Sequence, residues 1–319
     1  NIMKDKNYLD SRKKLHIEPT GNTLKFVVPN LNPFDAINMI ANKSLPEKSK
    51  GAGYFFYETT GGFYFRSWQS MITNQGEFAR PYKQNFYSQP AKISDVAESR
   101  DEKTGAKQDK VLREYQTVEQ YQFVNNFHDV AANTALGTYG HRVISHNLFD
   151  KSYDIKDYNY HREFGKTPHA DTLKYTTQYA IMNSPVDYDN KDNVSSYAES
   201  RVSLQTTSPF LHDKDVGRYG LDVAADGTNT GQKISQYNQI AHGTLLKLTV
   251  KGQSNLQAGD LIRFNLADTN ADNNNNTNPN DPRFSGHYVI TKVRHQVTGD
   301  KYTMILECAK DSVATPYGS

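Results

Sequence analysis

The ten histidines of this chain are its best candidates for holding a metal or moving a proton near neutral pH. His141 with His146, and His161 with His169, are pairs close enough in sequence to consider. A zinc site on a helix needs two ligands four residues apart and a further Cys, His or carboxylate. Neither pair has that spacing or that company, so neither is expected to bind metal. The run from Asp268 through Asp272 to Asp281 has the acidity of a calcium loop. It lacks the central Gly and the terminal bidentate Glu that close one, and reads as a plain loop. No Gly-rich phosphate loop and no Gly-x-Ser-x-Gly elbow occurs. The 35 acidic residues leave a glycosidase-type carboxylate pair to be assembled by folding, but no spacing marks one. No catalytic, cofactor-binding or metal-binding residue is therefore expected, and no cofactor.

Composition narrows the classes further. The chain carries 21 Tyr and 15 Phe against one Trp, only 36% hydrophobic residues, and a mean hydropathy of −0.77. Such a Tyr-rich, polar chain favours strands with wet surfaces and contact patches, because Tyr is apolar along its ring and polar at its tip. The 37 basic and 35 acidic residues are mixed rather than blocked, giving a net charge of +2. Strong nonspecific nucleic-acid binding needs clustered Lys and Arg to displace counterions, so a DNA-binding role is disfavoured. The one cysteine, Cys308, sits at an alternating strand position, packs as a small hydrophobe and excludes an intrachain disulfide. No apolar run approaches the roughly 18 residues of a membrane span, so no membrane anchor is expected. The sequence begins with Asn1 rather than Met, so a fragment, a processed product or a partly traced chain with an upstream domain missing is the expectation.

The elements that would position any site are clearest at the C-terminal end. Leu246, Leu248 and Val250 alternate with Lys247 and Thr249, as a half-buried strand requires. After a turn over Leu256–Asp260, Ile262, Phe264 and Leu266 alternate with Arg263 and Asn265, and the two strands read as a hairpin. The Asn-rich stretch from Ala267 to Ser285 has too little apolar surface to pack and reads as mobile. Tyr288 to His295 and Tyr302 to Cys308 form two more strands around a turn at Thr298-Gly299-Asp300.

Nearer the N-terminus, Asn32-Pro33-Phe34-Asp35 is a helix start with Asn32 as N-cap and Pro33 at the first helical position. Phe34, Ile37, Ile40 and Ala41 form its apolar side. Tyr54–Glu58 and Phe63–Trp68 flank Thr59-Thr60-Gly61-Gly62, a hairpin whose aromatics would cover that helix. Thr73 to Arg113 is polar, and the charged run Ser99–Lys110 reads as a solvated loop. Val118 to Gly137 has helical spacing through Val124, Phe127, Val130, Ala131 and Ala135, with Gly137 as a stop. Arg142–His146 and Tyr153–Tyr158 read as two strands, followed by an excursion from Glu163 to His242 with one short helix at Ile234, Tyr237 and Ile240. The fold class expected is α+β and β-rich: a small α/β domain (1–112), the first part of a split β-barrel (113–163), an inserted lobe (164–242), and the second part of the barrel (243–319).

Two groups of motifs carry a resemblance. The first is Ser11–Pro19, Val28–Ile37 and Tyr54–Phe65; the second is Leu256–Phe264, Ser285–His295 and Lys301–Asp311. Gly140–Phe149 fits the strand that precedes an inserted lobe. In this order they resemble the baseplate central hub proteins of contractile-tailed phages of T-even type, whose tube-like barrel is shared with type VI secretion spike proteins. The resemblance implies a homotrimer with two tube-like domains per chain, the first of them missing upstream of Asn1. It further implies partners: the tail tube or tube initiator protein, the central spike protein, the tape-measure protein, and DNA in transit without specific binding. The implied location is the virion tail baseplate, assembled in the host cytoplasm. Two alternatives remain, a hub-associated peptidoglycan hydrolase and a hub or spike component of a phage-derived injection system.

Overall fold

The computed structural model of the 319-residue chain describes residues 2–21, 27–47, 53–73, 84–89, 112–124, 129–147, 151–170, 194–207, 227–268, 280–281 and 283–313. The chain is mixed α+β and rich in strands, as expected. Its contacts divide it into two units. One comprises Asn1–Phe78, His128–Pro168 and Met182–His242, and the other Ala79–Phe127, His169–Ile181 and Gly243–Ser319. The charged run Ser99–Lys110 and most of the Asn-rich stretch lie outside the described residues.

In the first unit, strands β2 (Tyr54–Thr59) and β3 (Gly62–Ser67) form the expected hairpin, with Thr59 opposite Gly62 and Thr60-Gly61 at the turn. Strand β1 (Leu15–Ile17) adds in parallel on the outer side of β3. Helix α1 (Pro33–Lys43) begins at the expected residues, but the Asn32 side chain donates to Asp35 Oδ2 at 3.3 Å instead of capping a backbone N–H. The pre-set φ of Pro33 and the burial of one side hold the helix start in its place. Ile37 and Ala41 pack with Tyr54, Phe63, Phe65 and Met3 in one apolar cluster, while Phe34 stacks on Phe56 at 5.8 Å. Helix α2 (Trp68–Thr73) follows directly, anchored by the Glu18 carboxylate, which accepts from the N–H and the hydroxyl of Ser67 at 2.7 and 2.8 Å.

Further along, helix α3 (Val130–Ala135) is capped by Asp129, whose Oδ1 accepts from the Ala132 N–H at 2.8 Å. It ends at Gly137, as the sequence predicts: φ is +78°, and the N–H groups of Gly137 and Thr138 return to the Thr134 and Asn133 carbonyls. The Val118–Gly137 stretch is not one helix, however. Its first part is strand β5 (Gln120–Phe123), because β9 (Thr244–Lys251) offers it a backbone partner and its Tyr and Phe a place against an apolar wall.

Strands β6 (Gly140–Asn147) and β7 (Tyr153–Asn159) pair antiparallel as expected, and helix α4 (Tyr160–Phe164) follows β7. These strands were expected to belong to the barrel. They instead form a separate three-stranded sheet with β8 (Val202–Thr207), which comes from the excursion and pairs in parallel with β6. The short helix expected near Ile234 is the 16-residue α5 (Gly227–His242), packed on β6 and β7. It also reaches the aromatic hairpin: the Tyr237 hydroxyl donates to the Tyr54 carbonyl at 2.8 Å, and its ring meets Phe55 edge-on.

The second unit is a six-stranded sheet in the order β4-β10-β11-β12-β9-β5, built from β4 (Gln84–Tyr87), β5, β9 (Thr244–Lys251), β10 (Leu261–Asn265), β11 (Gly286–Thr298) and β12 (Lys301–Lys310). The alternations read in β9, β10 and β12 are those observed, and the Gly299-Asp300 turn joins β11 to β12. The hairpin expected between β9 and β10 does not form. Both edges of β9 are taken, by β12 and β5, so Leu256 in the connection is buried among the core side chains while β10 pairs with β11 and β4 on the far side. Strand β4 was unmarked in a polar stretch, and only Phe86 turns fully inward.

Candidate functional site

The histidine pairs are separated by their surroundings. His141 is fully buried; its Nε2 lies 2.8 Å from Ser203 Oγ, and its Nδ1 has no hydrogen-bond partner among the described residues. His146 sits at the other end of the same strand. His161 contacts the Ser195 hydroxyl, whereas His169 donates to Asp311 at 2.9 Å in the second unit. Among the described residues no group of three or more His, Cys, Asp or Glu could hold a metal ion.

The Ser195–His161 contact has the residue types of a nucleophile and its base, but not the setting. Ser195 is 1% exposed, so no substrate reaches it, and the contact ties a turn to α4. The buried carboxylates are likewise committed to backbone. Asp260 accepts from the Gln257 N–H at 3.0 Å, and Asp311 from the Ala170 N–H at 3.1 Å as well as from His169. Burial also pushes the Cys308 thiol well above its usual range, which leaves it inert in the folded protein.

Burial, with help from the nearby Arg201 charge, holds His141 below the ordinary imidazole value of 6.5. The unfolded chain therefore takes up a proton that the folded chain refuses. Stability from this group is complete above 6.5 and is lost as pH falls below it. Urea midpoints read on the single tryptophan, Trp68, should drop from about pH 7.5 to about pH 5. The drop should be shallower in His141→Gln; equal slopes would show that His141 does not set this dependence.

What the second unit offers is a filled barrel rather than a chamber. Phe86, Leu246, Leu248, Val250, Phe264, Tyr288, Ile290, Met304, Leu306 and Cys308 fill the inside of the curl. The two edge strands approach each other across it. Tyr87 bridges Thr117 just before β5, Tyr121 of β5 lies 5.7 Å from Phe264 of β10, and the Arg113 guanidinium stacks on the Tyr87 ring at 3.2 Å. Among the described residues the interior of the curl is occupied by side chains.

The outside is ordered by register and only partly hydrophilic: one row, Leu261, Val289, Ala309 and Leu245, is apolar, and its first three members are buried. Gln122, Lys247, Glu307 and Lys292 form one row across four strands, and Gln120, Thr249, Ile305 and Arg294 the next. Lys292 pairs with Glu307 at 2.8 Å, and Lys301 with Glu119 at 3.0 Å. At one end the buried Lys310 donates to the Arg283 and Ser285 carbonyls. There the Ala267–Asn280 bridge and Asp281, which accepts from the Arg283 and Phe284 N–H groups, pinch the base of the Asn-rich stretch.

No family model matches the chain, and no curated protein does. Among solved structures it is similar to the tail protein from Neisseria meningitidis MC58, with 9% identity and a TM-score of 0.42 over 93% of this chain and 61% of that one. It is also similar to the 43 kDa tail protein of prophage MuSo2 from Shewanella oneidensis, with 8% identity and a TM-score of 0.38 over 93% of this chain and 59% of that one. The chain thus spans about six tenths of the length of each of these tail proteins.

Proposed function

We propose that this chain is a structural virion protein of a contractile phage tail. In this reading it is a baseplate hub that, as a homotrimer, adapts the hexameric tail tube to the trimeric central spike and surrounds the channel for tape-measure protein and DNA. The observation that carries the reading is the curled six-stranded sheet. Its four C-terminal strands are the segments that carry the sequence resemblance, its interior is filled, and two rows of its outer face are mostly hydrophilic. A filled barrel of this kind binds no small molecule inside, and serves as a rigid wall segment in a ring. The hydrolase alternative draws no support from the described residues, whose buried carboxylates are occupied by backbone N–H groups and a histidine.

Native mass spectrometry of the protein at high concentration tests the proposal. A trimer is the expected species, and a persistent monomer would overturn the ring. Release of soluble fragments from purified cell wall, abolished by changing one acidic residue, would instead establish the hydrolase.

A further inference from the structure

We propose that the outer face of the β7-β6-β8 sheet is the surface by which one copy of the chain seats on the next, its counterpart being the segment that leads into α1; the proposal rests on the ring reading above. The registers place nine residues of this face in three rows. Asp157, Arg142 and Val202 form one, Ile155, Ile144 and Leu204 the second, and Tyr153, His146 and Thr206 the third. The opposite face of the same sheet carries the fully buried His141 and Val143 and packs on α5. Among the described residues the outer face has no such cover. Tyr153 is 72% exposed, Leu204 67%, and Ile155 and Val202 50% each.

Side by side, these residues present roughly 400–500 Å² of mostly apolar surface, within the usual range for the largest patch on a monomer. That is about half of the ~800 Å² each partner brings to a standard interface. The surrounding charges are already matched within the chain. Arg142 holds both oxygens of Asp157 at 2.7 Å and reaches Glu199 at 2.8 Å. An apolar centre with an internally neutralised rim has the composition of a protein interface core and attracts neither a cationic nor an anionic partner in particular.

A second copy is the occupant because the chain also carries the other half of the contact. Val27 is 91% exposed, Phe34 44%, Val28 42% and Leu31 41%, all within eight residues at the start of α1. Two different apolar surfaces on one chain are what a head-to-tail contact requires, and such contacts close into rings. A two-fold dimer would need only one self-complementary face.

The test uses two double variants, Ile155→Lys/Leu204→Lys on the sheet face and Val27→Lys/Leu31→Lys on the segment, with far-UV circular dichroism and the urea midpoint as controls of folding. Softer versions, Ile155→Thr/Leu204→Ser and Val27→Ser/Leu31→Ser, replace any that fails them. Native mass spectrometry should show trimer for the unaltered protein and monomer for each variant alone. Mixing the two variants should restore one contact and give a heterodimer that grows no further. Retained trimer in either folded variant would overturn the assigned surfaces and leave the ring standing. A segment variant that dimerises by itself would replace the head-to-tail contact with a two-fold one. A monomeric unaltered protein would overturn the ring reading, and this proposal with it.

Discussion

Truncating Phe264 to alanine should destabilise the barrel unit by about 3–5 kcal/mol, the usual loss for a buried Phe whose cavity cannot collapse. Phe264 has no exposed surface and sits at the middle of the filled interior, on β10, which is held by β11 on one side and β4 on the other. Its ring also meets Tyr121 of β5 across the curl, so its removal loosens the place where the two sheet edges meet. Collapse around the gap is opposed by backbone pairing on both sides of β10, because closing it would mean shifting three hydrogen-bonded strands together. The single cysteine gives a direct readout. Cys308 is 1% exposed in the same cluster and reacts with a thiol reagent only when this unit opens. The urea concentration at which Cys308 becomes reactive should fall strongly in Phe264→Ala. A change under about 1 kcal/mol would mean that the interior is loosely packed and that the barrel is not the rigid element described.

Gly62→Ala should cost about 2–4 kcal/mol in the other unit, from a strained backbone and a backbone collision together. Gly62 opens β3 with φ of +139°, a conformation that side-chain-bearing residues rarely adopt. A Cβ there would lie 2.4 Å from the Lys14 carbonyl oxygen, which accepts the Phe63 N–H at 2.9 Å and starts the β1–β3 pairing. No rotamer relieves this contact, since the atom struck is main chain. Relief requires either a distorted hairpin turn or a displaced β1. Trp68 follows β3 directly and is 3% exposed, so its fluorescence reports this unit alone. The urea midpoint on Trp68 should drop in Gly62→Ala, whereas Gly61→Ala, one residue earlier at the turn, serves as the matched control. Equal midpoints for Gly62→Ala and the unaltered protein would show that β1 yields without cost.

Strands whose two faces differ in polarity were legible in the sequence. Leu246, Leu248 and Val250 alternate with Lys247 and Thr249, and the period of two is imposed by the pleat whatever the neighbour is. Tight turns were legible for a similar reason. Gly137 supplies the positive φ of a helix stop, and Gly299-Asp300 a two-residue hairpin turn. Strand β4 was not legible, because an edge strand buried on one side needs a single apolar residue, and Phe86 alone among polar neighbours makes no pattern. The Val118–Gly137 stretch misled for a different reason. Spacing that fits a helix was overruled at Gln120–Phe123 by a free edge on β9, a partner far away in sequence.

The sequence by itself determined the strands whose apolar residues alternate, such as β9 and β12, and which side of each turns inward, since both follow from local chain geometry and the order of apolar residues. It also carried the resemblance to a tail hub through the order of those motifs. Tertiary structure alone decided which strands pair. β9 and β10 adjoin in the chain yet lie on opposite sides of β11 and β12, and β6 and β7 leave the barrel for a sheet completed by β8. Partner choice depends on which backbone edges remain unpaired once every apolar face is covered, a property of the whole chain. For the same reason only the folded sheet shows that Tyr153, Ile155, Ile144, Val202 and Leu204, spread over some sixty residues of sequence, share one face.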